Sequence, residues 1–128
     1  KILGVGIDFE PIESFRKKRF SNHRAFYARL FSSREIVHCR KFRDPAPRFA
    51  ARFCAKEAIV KAVRPLFPVC VFDWEIRSGR DGAPKVALRS KNPRLRRFLS
   101  KHELLVSLSH TNDTAAAIAI LVRKGKDS

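Results

Sequence analysis

Acidic residues are scarce in this chain: 12 Asp and Glu stand against 28 Lys and Arg in 128 residues, a formal charge of +16. Charge of one sign at that density repels itself unless an anion is the usual companion. A polyanionic ligand, an acidic protein or nucleic acid is therefore expected as partner. Cysteine is also sparse. Cys39, Cys54 and Cys70 have no C-x-x-C or Cys/His spacing, which excludes the usual thiolate metal sites. Their odd number argues against a disulfide framework and for a cytoplasmic location. No apolar run reaches the roughly 20 residues of a membrane span; "TAAAIAILV" is short and ends in charge. No secretory leader is read at the start. Methionine is absent altogether, so Lys1 need not be the natural start.

What is present suffices for one folded domain. Hydrophobic residues make up 45% of the chain and 11 are Phe, which excludes general disorder. Residues 1–122 read as a single domain and 123–128, "RKGKDS", as a basic tail. "ILGVGID" reads as a first strand ending at Asp8, with Pro11 suited to the first turn of a helix. Short helices are expected over about 12–20 and 23–30, and a third after an N-cap at Ser32 or Ser33. "DPAP" breaks the chain before a long helix over 48–64. "FDWEIRS" and "PKVALRS" flank "GRDGAP" as a hairpin, and a short helix over 93–100 follows. Strands "ELLVSLSH" and "TAAAIAILV" close the chain around a turn at Thr111 to Asp113. Helices first and antiparallel strands later imply an α+β fold, with an antiparallel sheet on a long central helix.

Three stretches carry chemistry. Asp8 and Glu10 are two apart, so on one strand both carboxylates project to one face. A carboxylate at the end of an apolar strand needs a partner, either a hard cation such as Mg²⁺ or a basic side chain. In "RFCAKEAIVKA", Glu57 and Lys61 are four apart and share a helix face, as an exposed ion pair would. "VSLSHTND" places Ser107 and Ser109 on one strand face with His110 at the turn, a set that suits phosphate oxygens. A structural turn is the plain alternative. A Ser/His hydrolase is weakly signalled, since no G-x-S-x-G elbow is present.

Together, "GVGIDFEPI", "RFCAKEAIVKA" and "VSLSHTNDTAAAIAI", with "DWEI" and a "GAP" turn between them, resemble the 4′-phosphopantetheinyl transferase superfamily, holo-acyl-carrier-protein synthase type. The resemblance implies transfer of the phosphopantetheine arm of coenzyme A to a serine of an apo acyl carrier protein, with release of adenosine 3′,5′-bisphosphate. It implies Mg²⁺ held by Asp8 and Glu57, with Lys61 meeting the phosphates or assisting deprotonation of the serine. A metal-bound water, Glu57 or Lys61 could each serve as base. Ser109 and His110 would contact coenzyme A phosphates, Arg48 or Arg52 the 3′-phosphate, and the turn from Gly82 to Pro84 the adenine. Glu10 departs from the short type, which carries its glutamate one residue later, and makes a third metal ligand an expectation. Leu105 stands where the short type often has His, so a phosphate contact is either missing or supplied by His102.

The resemblance further implies a homotrimer with its sites between subunits. Carriers of this kind are acidic, and Arg16, Lys17, Arg19 and Arg24 are the expected docking surface. Two rival readings are a basic nucleic-acid-binding module and an inactive family member acting as an assembly subunit. The basic clusters 16–19, 40–43 and 89–97 favour the first, but each reads equally as a solvated helix face. The Phe residues fall at helical spacing or beside small apolar residues, as core would. Asp8, Glu57 and Lys61 are all present, which speaks against the second.

Overall fold

The structure, a computed structural model, describes residues 1–125. Its elements are β1 (Ile2–Pro11), α1 (Glu13–Lys17), α2 (Arg24–Leu30), α3 (Ser33–Cys39), α4 (Ala46–Val63), β2 (Trp74–Ser78), β3 (Pro84–Leu88), α5 (Pro93–Ser100), β4 (His102–His110) and β5 (Thr114–Arg123). Short 3-10 turns cover Phe20–Asn22 and Val71–Asp73. The strands make two antiparallel sheets: β1-β5-β4, and the hairpin β2-β3. The expected α+β class holds, with a second small sheet beside the first.

Helix α4 is the centre of the molecule. Most of its residues are buried on every side, including Ala50, Ala55, Ala58, Ile59 and Ala62 at 0% exposure, so the helix cannot be read as amphipathic. One side lies directly on β1, which is possible only because β1 offers no side chain there. A Cβ at position 6 would stand 1.9 Å from the Ala58 carbonyl oxygen, and one at position 4 would stand 2.0 Å from that of Ala62. β5 supplies Ala115, Ala117 and Ala119 to the same buried face. Another side of α4 meets an aromatic cluster: Phe49 lies 4.7 Å from Tyr27 and 4.9 Å from Phe31 between ring centroids. Phe15, Phe31 and Phe49 are buried, while Phe20, Phe26, Phe53, Phe67 and Phe98 pack against the core. These eight rings hold the fold and offer no platform for bases.

The other face of the large sheet is open. Val5, Ile7 and Phe9 of β1, Leu105 of β4 and Ile118 of β5 are exposed, Phe9 to 64%.

Several boundaries differ from the expectations. Pro11 is the last residue of β1, paired with Thr114, and not the first turn of a helix. The first helix stops at Lys17 because the Tyr27 hydroxyl is set against the carbonyls of Phe15 and Lys18. Helix α4 starts at Ala46, two residues early, where Pro47 fits the first turn. Arg123 belongs to β5, and the Lys124 N–H bonds the Lys101 carbonyl at 3.0 Å, so the expected tail does not begin at 123. Residues 126–128 of that tail lie outside the described residues. The cap of α3 is Ser32, in a full capping box with Glu35. Among the described residues no helix is long and apolar enough to cross a membrane.

Candidate active site

Pairing of β1 with β5 turns the even-numbered residues Gly6, Asp8 and Glu10 toward α4. Asp8 is 8% exposed, and its Oδ1 accepts a hydrogen bond from the Lys61 ammonium at 3.2 Å. The same ammonium donates to the Ile7 carbonyl at 2.9 Å. Asp8 therefore has the basic partner its burial requires, but only at one oxygen. Among the described residues its Oδ2 is buried with no partner at hydrogen-bond distance.

Two more carboxyls crowd the place. Glu10 is pushed up to about 7, chiefly by burial and then by the Asp8 carboxylate beside it. Glu57, on α4, is also raised, by burial first and by Asp8 second, against the pull of Lys61 and Arg64. Three carboxyls with one ammonium bonded among them are short of positive charge, and a buried acceptor is left over. Those are the conditions a divalent cation relieves. Among the described residues no three His, Cys, Asp or Glu side chains converge as a metal cage. The donor set thus fits Mg²⁺ held by two protein carboxylates, with phosphate oxygens and water completing its shell. Beside the carboxyls runs a groove of about 430 Å³ lined by Glu57, Val60, Lys61 and Arg64 of α4 and by Arg29 and Leu30 of α2, with Cys70, Val71 and Phe72 closing it.

A second group of cations gathers toward the N-terminal half of α4. An Arg48 Nη lies 3.0 Å from His110 Nε2, at the end of β4, and the Arg48 guanidinium stacks 4.1 Å over Phe42. The other ring nitrogen of His110 meets the Thr111 carbonyl at 3.1 Å. His110 Nε2 faces the Arg48 guanidinium and not the Ser109 hydroxyl, so these contacts lend the Ser/His hydrolase reading no support. Arg52 is buried at 6% exposure. It donates to Ser78 Oγ at 3.2 Å, while its Nε has no partner. Ser78 pairs with Pro84 across the hairpin, so Arg52 joins α4 to the turn that holds Gly82 at φ +82°. A cavity of about 210 Å³ there is lined by Arg34, Glu35, His38, Arg52, Ile76, Arg77 and Ser78.

Paired carboxylates beside a lysine, with a separate arginine and histidine group, match a wider pattern in sequence. The 4′-phosphopantetheinyl transferase superfamily pattern matches residues 4–120. The chain belongs to that superfamily. It is 38% identical over 122 residues to a holo-[acyl-carrier-protein] synthase of Desulforudis audaxviator, covering 94% of this chain and 93% of the relative. Among solved structures, the Mycobacterium tuberculosis acyl carrier protein synthase is 32% identical, with a TM-score of 0.73 over 97% of this chain and 100% of that one. The Helicobacter pylori holo-[acyl-carrier-protein] synthase, solved in complex with coenzyme A, is 26% identical, with a TM-score of 0.76 over 92% of this chain and 99% of that one.

Set in this family, the remaining expectations divide. Asp8, Glu10, Glu57 and Lys61 come together, as do Arg48 with His110 and Arg52 with the hairpin. His102 does not stand in for the histidine replaced by Leu105. It sits eight residues from His110 on β4, about 26 Å away along an extended strand, and its ring stacks on Phe98. Of the expected docking residues, Arg16 already pairs with Asp44 at 2.8 Å and Glu13 at 3.5 Å. Arg24 lies over Phe20 at 5.0 Å, and Arg19 lines a groove of about 380 Å³ beside Phe20 and Arg40. Lys17 is exposed.

Sequence reasoning passed over Arg64 and Arg29 in the groove wall, and Arg34, His38 and Arg77 around Arg52. Arg64 had a signal: it follows Glu57 by seven residues and Lys61 by three, on one helical face. The others had none, because α2, α3 and β2 reach α4 only through the tertiary fold. Cys54 is buried beside Asp8 and Glu10, and its Sγ lies 3.4 Å from the Ala115 carbonyl. Burial pushes Cys39 up to about 11 and Cys54 to about 12.

Proposed function

We propose that this chain transfers the 4′-phosphopantetheine arm of coenzyme A to a serine hydroxyl of an acidic apo acyl carrier protein, releasing adenosine 3′,5′-bisphosphate. The observation that carries the reading is the orphaned Asp8 oxygen beside Glu57 and Lys61, in a chain of this family. Asp8 and Glu57 would hold Mg²⁺, which when bound polarises the pyrophosphate and offsets charge on the leaving phosphate. Lys61 is placed to stabilise charge developing on the transferred phosphate, since its ammonium already reaches the same carboxylate. The serine needs a base, and Glu57 and Lys61 are the side chains at hand. Arg48, Arg52, Ser109 and His110 take the phosphates of the nucleotide end, and the turn from Gly82 to Pro84 lies against the adenine. The proposed place of action is the cytoplasm.

The test is intact-protein mass spectrometry of an apo carrier incubated with this chain, coenzyme A and Mg²⁺, with and without EDTA. A gain of one phosphopantetheinyl group that EDTA abolishes is expected. No gain on any of several carriers would overturn the reading.

The working form in this proposal is a homotrimer joined through the open sheet face, whose apolar residues are more than a lone soluble subunit commonly leaves uncovered. Val5→Asp on that face leaves the subunit folded but is expected to sediment as a monomer and to lose most transfer activity. A fully active monomer would contradict the assembly.

The carrier is proposed to dock on Arg16, Lys17, Arg19 and Arg24. Because Arg16 is neutralised in part by Asp44, the test reverses two of the other three charges. Lys17→Glu with Arg24→Glu is expected to raise the KM for carrier roughly tenfold through slower encounter, with the KM for coenzyme A unchanged. Equal rises in both would refute the surface.

A further inference from the structure

Lys56 is the charge in α4 that the transfer chemistry leaves unexplained. It precedes Glu57 and points about 100° away around the helix, and its side chain is 0% exposed. Its ammonium donates to Glu35 Oε1 at 2.5 Å and to the Leu30 carbonyl at 2.7 Å. Glu35 Oε1 also accepts the Ser32 N–H at 2.8 Å, and Oε2 accepts the Ile76 N–H at 2.7 Å. One ion pair thus ties the end of α2, the start of α3 and the middle of β2 to the central helix.

Stability is a weak reason for such a pair. Desolvation consumes most of the attraction between buried charges, and apolar residues of similar volume often serve as well or better. What apolar residues would not supply is direction. The Leu30 carbonyl is one of those a helix leaves unsatisfied at its C-terminal end. Leu30 and Arg29 form one wall of the groove whose facing wall is Glu57, Lys61 and Arg64. Lys56 lies behind the second wall, on the same helix, and holds the backbone of the first through the Leu30 carbonyl.

We propose that the buried Lys56–Glu35 pair is a positioning device that fixes the width of the catalytic groove between the end of α2 and helix α4. The proposal rests on the transferase reading. It predicts that loosening the pair misplaces the reacting atoms while the nucleotide end, held by Arg48 and Arg52, still binds. Displacements of about 1 Å are enough to cost up to roughly 100-fold in rate.

The test compares the unaltered chain with Lys56→Met/Glu35→Gln, in which the pair is neutral and of nearly the same volume. Three quantities are read: kcat per folded molecule, coenzyme A affinity by calorimetry, and amide hydrogen exchange at Phe31, whose N–H bonds the Tyr27 carbonyl at 2.8 Å. A fall in kcat beyond about threefold, with affinity held within about threefold and faster exchange at Phe31, is expected. A kcat within that margin, kcat and affinity falling together, or unchanged exchange overturns the proposal. If the double variant does not fold, Glu35→Gln alone is judged by the same criteria. If the unaltered chain modifies no carrier, the transferase reading fails by itself, and exchange at Phe31 decides whether the pair holds the wall.

Discussion

Glu57→Gln is expected to slow phosphopantetheinyl transfer by roughly 10²–10³-fold, the scale of losing one preorganised electrostatic contact to a developing charge. The substitution keeps the side chain's shape and removes its charge. Glu57 is held in its raised state by burial and by Asp8, so its ionised form is already under strain from a neighbouring carboxylate. Neutralising it relieves that repulsion, and the melting temperature is expected to hold or rise slightly. The pairing of lost turnover with retained stability separates a cation ligand from a structural acid. Initial rates by mass spectrometry and a thermal melt measure the two. A variant within about threefold of the parent rate would remove Glu57 from the proposed ligand set, because a carboxylate on a cation is not replaced by an amide at so small a loss.

Gly6→Ala is expected to cost about 3 kcal/mol or more of stability, at or above the upper end for overpacking a core. The added carbon would meet the Ala58 carbonyl oxygen at 1.9 Å and the Lys61 Cβ at 2.9 Å. A flexible side chain could swing aside, but a helix carbonyl cannot, so α4 must lift from β1. For a domain of this size the melting temperature should fall by roughly 10 °C or more. Transfer should fall as well, because lifting α4 withdraws Lys61 from Asp8. Gly82→Ala is the control: its φ of +82° strains any side chain, yet nothing lies within 4 Å of the new carbon. Its cost is expected near 1 kcal/mol. A Gly6→Ala protein melting within about 2 °C of the parent would mean that the strand and helix do not rest on each other as described.

Much of the architecture was legible because it is written locally. The N-cap at Ser32 or Ser33, the Gly-containing turn between β2 and β3, and the tight turn between β4 and β5 each depend on neighbours in sequence. The misplaced boundaries depend on something else. Pro11 ends a strand because β1 is an edge paired only with β5, where a missing N–H costs no ladder bond. Lys17 ends a helix because a tyrosine hydroxyl ten residues later sits against the carbonyls there.

The candidate site divides in the same way. Asp8, Glu57 and Lys61 were assigned together through the family resemblance of three segments, and the fold brings them to one place. That Lys61 would satisfy only one Asp8 oxygen could not be read, since it depends on how closely α4 approaches β1. Lys56 was visible as a charge in an apolar helix, but its partner Glu35 sits 21 residues away behind a break in the chain.

The close approach of α4 to β1 also bears on conformational entropy. Because Gly4 and Gly6 leave the strand bare, an aspartate, one of the shortest charged side chains, spans the gap to the helix with two rotatable bonds. A sheet held further off would need longer acids with more rotamers to freeze, each costing up to roughly 1 kcal/mol or more to order. Here the disorder is removed when the chain folds, by Ala58 and Ala62 against the backbone of β1. In the proposed reaction the groups that would meet the pyrophosphate are therefore in place before it arrives, and substrate binding free energy is left for the transition state instead of for assembling them.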